Sequence, residues 1–198
     1  MENMNDFWED LIFELDNIKN PIITNGDDEL LIGASNRNGR ILFIGDDPEL
    51  YENEDLKVTS GSSGEFLIKL CDIEEIKPDE YYITTLTKRN CKYRDFLSNE
   101  QAKLKELLDM QIALINPQIV VALGSEVANI LCGKDIDFNK TRSNFSSWLG
   151  DTKMFVTYDV NFVKKSRNDS GKKSKVAMEF LKDIRLLKLE LDRLNERA

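Results

Sequence analysis

Four short apolar runs, ILFIG (41–45), YYITTLT (81–87), QIVVALG (118–124) and KMFVTYD (153–159), limit what this chain can fold into. Each is rich in β-branched residues and nearly continuous in apolar character, the pattern of a strand covered on both faces. Such strands belong to a parallel sheet, whose neighbours must be joined by long crossovers. Apolar residues at helical spacing lie between the runs at about 64–71, 98–115 and 125–132, the second opening on Ser98 with Gln101 at capping-box distance. The alternation predicts an α/β chain: a three-layer α/β/α sandwich around a central four-stranded parallel sheet.

The flanks fit the same plan. Residues 6–18, DFWEDLIFELDNI, place Phe7, Leu11, Ile12, Phe13 and Leu15 at roughly helical spacing, and Pro21 and Asn25-Gly26 end that N-terminal helix. Residues 173–196 repeat Phe180, Ile184, Leu187, Leu191 and Leu194 between charges, which predicts a closing helix packed on the sheet. A length of 198 residues suits one domain spanning 1–198, with its core at 40–160 and a basic loop at 164–175.

Composition narrows the chemistry. No apolar run approaches the about 18 residues needed to cross a bilayer, and the N-terminus is acidic, so a soluble, cytoplasmic protein without a membrane segment is expected. Cys71, Cys91 and Cys132 form no close pair and the chain has no histidine, which disfavours a disulfide framework and a thiolate or imidazole metal site. Acid–base work must therefore come from carboxylates, lysine, tyrosine or cysteine. The net charge of -9 opposes uniform nucleic-acid binding, yet the cations are segregated. Lys164, Lys165, Arg167, Lys172, Lys173 and Lys175 face a single acid, Asp169, and Lys88, Arg89, Lys92 and Arg94 form a second cluster.

In an open parallel sheet, ligands bind beyond the carboxyl ends of the strands, where loops converge and helix N-termini present free N–H groups. Here those loops are Asp46-Asp47-Pro48-Glu49, the stretch after Thr85, Gly124-Ser125, and Asp159-Val160-Asn161.

The order of these pieces resembles the uracil-DNA glycosylase superfamily, and in particular its compact iron–sulfur branch, over roughly residues 40–185. The resemblance rests on ILFIGDDP as first strand and water-activating loop, GSSGEFL as the entry to a helix, YYITTLTK as second strand, and NPQIVVALGSEVANILCG as third strand and helix. Arg142, the fourth strand with TYDVNF and the closing helix follow in order. The resemblance implies a base-excising hydrolase of DNA in which Asp46 or Asp47 positions the attacking water. It also marks departures. The stacking aromatic falls at Thr59, the base-reading asparagine at Thr85 and the histidine of the fourth-strand loop at Asp159; Arg89 and Leu104 stand near two cluster-ligand positions. No cluster, no other cofactor and no metal is therefore expected.

Breaking an N-glycosidic bond passes through an oxocarbenium-like sugar, so the site needs a carboxylate, a held water and donors for the departing base. Asp46 or Asp47 supplies the first two; Asn161, backbone N–H groups and the Thr85 hydroxyl are candidate donors. A carboxylate at Asp159 opposes a uracil anion and favours a base that leaves with a proton or presents an amine. Thr59, Thr85, Asp159 and Asn161 are thus the base-binding candidates, with Tyr51 or Tyr93 as a substitute aromatic. Ser62, Ser63, Lys88, Arg89, Lys164, Lys165, Lys172 and Lys173 are the candidates for the DNA backbone. Plainer readings stand beside these: adjacent aspartates cap turns, GSSG permits close helix packing, and lysine-rich stretches are solvated. The expected function is a divergent glycosylase-like hydrolase of a damaged or modified base in DNA. The alternatives are a non-catalytic member that binds DNA or a repair partner of unknown identity, and an enzyme of free nucleosides or nucleotides.

Overall fold

The computed structural model describes residues 4–23 and 28–196. Seven helices and six strands follow one another as α1 (Met4–Asp16), β1 (Ala34–Ser35), β2 (Ile41–Gly45), α2 (Ser63–Ile73), β3 (Tyr81–Thr85), α3 (Ser98–Ile115), β4 (Ile119–Leu123), α4 (Ser125–Cys132), α5 (Phe138–Thr141), β5 (Phe145–Leu149), β6 (Thr152–Thr157), α6 (Val160–Ser170) and α7 (Lys175–Asn195). The sheet order is β1-β3-β2-β4-β6-β5. The four inner strands are parallel, as their apolar character predicts, while β1 and β5 add antiparallel edges.

Alternation along the inner strands divides the core into two layers. Leu42, Ile44, Tyr82, Val120, Ala122 and Val156 face α1, α3 and α4, whereas Ile41, Phe43, Ile83, Val121 and Phe155 face α2, α6 and α7. All these strand residues are buried, so the three-layer sandwich is the observed architecture. Fully burying one such side chain contributes about 1.5–3 kcal/mol, so both faces of the sheet add to stability through their contact with the helices.

The structure corrects several sequence expectations. The central sheet gains two edge strands. FSSWL at 145–149 gave no strand signal because its residues are only half-buried or exposed, and it is recruited by antiparallel pairing with β6. The N-terminal helix ends at Asp16 and buries Trp8, Leu11 and Leu15, leaving Phe13 exposed. Asn25-Gly26 lies outside the described residues. At the start of α3, Glu100 rather than Gln101 accepts the Leu97 N–H (3.1 Å), because the Gln101 amide turns back to the carbonyls of Tyr93 and Phe96. The stretch expected as a basic loop is helical: α6 runs to Ser170, a single 3-10 turn spans Gly171–Lys173, and Ser174 caps α7 through the Ala177 N–H. One apolar stripe, Val160 and Val163 against α2 and α7, suffices to dock α6 despite its charge.

The strand β2 has β3 on one side and β4 on the other, and the helices α2 and α3 lie on opposite faces of the sheet. This is a topological switch point, and the crevice it opens lies beyond Gly45.

Candidate active site

Asp46 and Asp47 are the first residues past β2, and they do different work. Asp47 is buried, and both its oxygens are engaged. Oδ1 accepts the Glu49 N–H (3.0 Å), capping a 3-10 turn at Pro48–Leu50, and Oδ2 accepts the Asn161 Nδ2–H (2.5 Å). Asp46 is half-buried; Oδ1 accepts the Tyr93 N–H (2.9 Å), and Oδ2 has no partner among the described residues. Burial raises its pKa to about 6, against the lowering effect of the Tyr93 hydrogen bond; Glu126 and Asp95 raise it further and Lys92 lowers it. A carboxylate with one fixed and one open oxygen, titrating near 6, can orient a water and take its proton.

Across the switch point, Asp159 caps α6 by accepting the Phe162 N–H (2.9 Å). Burial raises its pKa, opposed by that hydrogen bond, while Asp47 raises it and Lys92 lowers it. Lys92 therefore lowers the pKa of both Asp46 and Asp159 through its charge. Gly124, ahead of α4, leaves room for this loop: a Cβ there would stand 3.3 Å from the Asp159 Cβ. Behind it, Arg142 donates to Asp183 (3.0 Å) and Glu179 (3.3 Å) and covers the Tyr158 ring at 4.6 Å, tying the end of β6 to α7.

A cleft of about 440 Å³ opens on the other side of Pro48, bordered by Leu31, Tyr51, Thr59, Ser62 and Asn90. Of the expected base-binding residues, the structure brings Asp159 and Asn161 beside the two aspartates and places Thr59 on the cleft rim, where its hydroxyl bonds the Glu52 carboxylate. Thr85 is buried and does not border the cleft: its hydroxyl accepts the Lys88 N–H (3.0 Å) and lies 3.4 Å from the Tyr51 hydroxyl. Tyr51 takes the wall instead, with its hydroxyl donating to the Leu31 carbonyl (2.8 Å). Burial pushes its pKa up to about 12, so it stays a neutral donor.

Four of the expected DNA-backbone residues are drawn into the fold. Ser62 is buried and caps α2 through the Glu65 N–H (3.1 Å), and Ser63 is fully buried. The GSSG stretch exists for packing, since a Cβ on Gly64 would meet the Leu50 carbonyl oxygen at 2.1 Å. Lys88 is wholly buried, its amine donates to the Thr85 carbonyl (2.6 Å), and desolvation lowers its pKa to about 7. Arg89 is 2% exposed; it pairs with Asp28 (3.2 Å) and Asp16 (3.6 Å) and donates to the carbonyls of Asp28 (2.7 Å) and Leu15 (3.2 Å). Neither cation can reach a phosphate. Lys165, Lys172 and Lys173 are exposed, and Lys164 is half-exposed with its amine on the Gly61 carbonyl.

Residues near the expected ligand positions do not fit an iron–sulfur cluster. Among the described residues no three His, Cys, Asp or Glu side chains converge as metal ligands. Cys71 lies in the α2 layer, Cys132 faces the Met154 sulfur (3.6 Å), and burial pushes the Cys91 thiol up to about 12. A cluster needs thiolates, and the residues near two of the positions that the resemblance implies are Arg89 and Leu104, both buried and neither a thiol. Glu126 was missed from sequence, and so were the ties of Tyr93 and Lys92 to Asp46: Tyr93 stood only as a substitute aromatic and Lys92 in the basic cluster, and nothing along the chain linked either to Asp46.

Comparison with known proteins identifies the family. The model of the uracil DNA glycosylase superfamily matches residues 32–185. A type-4 uracil-DNA glycosylase of Thermotoga maritima is 30% identical over 142 residues, covering 71% of this chain and 74% of the relative. Another, from Sulfurisphaera tokodaii, is 29% identical over 117 residues, and the match spans 58% of this chain and 50% of that protein. With the switch-point crevice, the loop after β2 and this extended match together, the chain belongs to the uracil-DNA glycosylase superfamily.

Proposed function

We propose that this chain hydrolyses the N-glycosidic bond of a damaged or modified base, other than uracil, in DNA, with Asp46 holding and deprotonating the attacking water. The observation that carries this reading is the asymmetry of the two aspartates: Asp47 is consumed by Glu49 and Asn161, while Asp46 keeps one oxygen open and a pKa near 6. Family membership and the names of the two relatives support a base-excising activity. The Asp46 carboxylate would also stabilise the positive charge that develops on the sugar. A charged Asp159 would repel a departing anion, and this supports a base that accepts a proton as it leaves. The test is release of base from oligonucleotides carrying uracil, hypoxanthine, xanthine and modified bases. Release that Asp46→Asn lowers by about 100-fold or more supports the reading; no release from any of them rejects it.

A non-catalytic DNA-binding role is favoured by a different observation: Thr59 and Thr85 offer no stacking ring and no free amide to an extruded base. In that case Asp46→Asn leaves the cellular phenotype unchanged.

A further inference from the structure

The cleft beside Pro48 carries charge of one sign. Leu31, Pro48 and Tyr51 give it apolar walls and Glu29, Glu49 and Glu52 border it, whereas no lysine or arginine does so among the described residues. Glu52 is half-buried and its carboxylate meets only the Thr59 hydroxyl; Glu29 and Glu49 are exposed, and none of the three has a cationic partner among the described residues. Acids nearby do find cations: Glu54 pairs with Arg37 (3.1 Å) and Glu65 with Lys69 (2.8 Å). Lys164 reaches the Gly61 carbonyl from α6 without bordering the cleft. Two neutral groups complete the lining. Ser62 is 4% exposed and its hydroxyl accepts the Glu65 N–H (3.1 Å), which leaves its own proton without an acceptor among the described residues. The Asn90 side chain, exposed on the rim, makes no hydrogen bond among the described residues.

A concave space with apolar walls, unneutralised carboxylates around it and a free hydroxyl and amide suits a flat cation with a hydrogen-bonding edge. We propose that this cleft takes a purine made cationic by alkylation of a ring nitrogen, with Glu49 and Glu52 supplying the complementary charge and Asn90 reading its edge. The inference rests on the hydrolase reading for the reaction and names the base. A purine methylated at N3 or N7 carries a positive charge. When its bond to C1′ breaks, the bonding pair moves to N9 and cancels that charge, so the base departs neutral and needs no proton. The water oxygen bonds C1′, and a water proton passes to Asp46. A chain with no histidine, whose fourth-strand loop carries Asp159 instead, has little to offer an anionic base and loses nothing with a neutral one.

The probes are two labelled single-stranded DNAs of about 15 nucleotides. One carries N1-methyladenine, which is cationic at neutral pH, and the other its neutral isomer N6-methyladenine, so contacts to phosphate cancel. Anisotropy should show the cationic DNA bound about 5-fold or more tightly. Glu49→Gln with Glu52→Gln, which keeps an acceptor for Thr59, should abolish that difference. Asp55→Asn with Asp79→Asn removes as much charge from exposed positions outside the cleft and should preserve it. Equal binding of the two DNAs overturns the proposal, as does a difference that survives in the cleft pair or disappears in the control pair. Base release from methylated DNA, whose cationic lesions include N3-methyladenine and N7-methylguanine, is measured alongside. A charge preference without release of any base sustains the cleft proposal and defeats the hydrolase; release of hypoxanthine or xanthine without a charge preference defeats the cleft proposal and leaves the hydrolase standing.

Discussion

The Asn161 amide donates to the Asp47 carboxylate at 2.5 Å, joining the first turn of α6 to the loop after β2 across 114 residues of sequence. This bond occupies the second oxygen of Asp47, whereas Asp46 keeps one oxygen without a partner among the described residues. Replacing Asp47 with Ala removes both the cap on the 48–50 turn and the Asn161 partner. Thermal unfolding should show a loss of about 1–3 kcal/mol. Asn161→Ala should reproduce much of that loss, and a double variant no worse than Asp47→Ala would show that the two act as one unit.

Asp46 should behave in the opposite way. Its folded pKa lies above the usual carboxylate value of 3.8, so between about pH 4 and 6 the native state keeps a proton that the unfolded chain has released. Stability therefore falls as pH rises through that window and is level above it. Asp46→Asn should remove the dependence and raise stability at pH 7, by on the order of 1 kcal/mol once solvent screening of a half-exposed group is allowed for. Base release by the parent protein should fall below about pH 6 as the carboxylate protonates. A variant that is both more stable and inactive would mark a group kept for function at the expense of stability.

Arg89 anchors α1 and the segment around Asp28 to the loop after β3 through two ion pairs and two carbonyl hydrogen bonds. Removing a buried charge partner leaves the others uncompensated, so Arg89→Ala should cost about 3 kcal/mol or more. Chelator treatment should leave the melting temperature of the parent protein unchanged, and its visible absorbance should show no cluster band. Iron bound in stoichiometric amount would refute the mismatch between the ligand positions and a cluster.

Gly64→Ala should be among the most damaging single changes in the first half of the chain. The added carbon meets the Leu50 carbonyl at 2.1 Å, so α2 must move off the 48–50 turn that Asp47 caps. Overpacking of this kind costs about 1–3 kcal/mol. Denaturant titration measures it, and Gly61→Ala, whose Cβ would meet nothing within 4 Å but whose φ is +80°, separates steric from backbone strain.

Local pattern determined much of this protein. Continuous apolar runs around 41–45, 81–85, 119–123 and 153–157 specified four parallel strands, because a strand buried on both faces cannot alternate with polar residues. The order of the loops then located the crevice and singled out Asp46, Asp47, Asp159 and Asn161. Charge was the misleading signal. Lys88 and Arg89 look like surface cations from sequence, yet one lies wholly buried on a backbone carbonyl and the other between two aspartates, far away in sequence. Burial and pairing over long separations depend on which elements touch, and composition carries no record of that. The helix at 160–170 hid for the same reason: its own residues are mostly polar, and only the packing of Val160 and Val163 against α2 and α7 holds it. Two neighbouring aspartates are chemically alike along the chain; the hydrogen bonds from Asn161 and Tyr93, made only when the strands assemble, give one a structural task and leave the other an open oxygen.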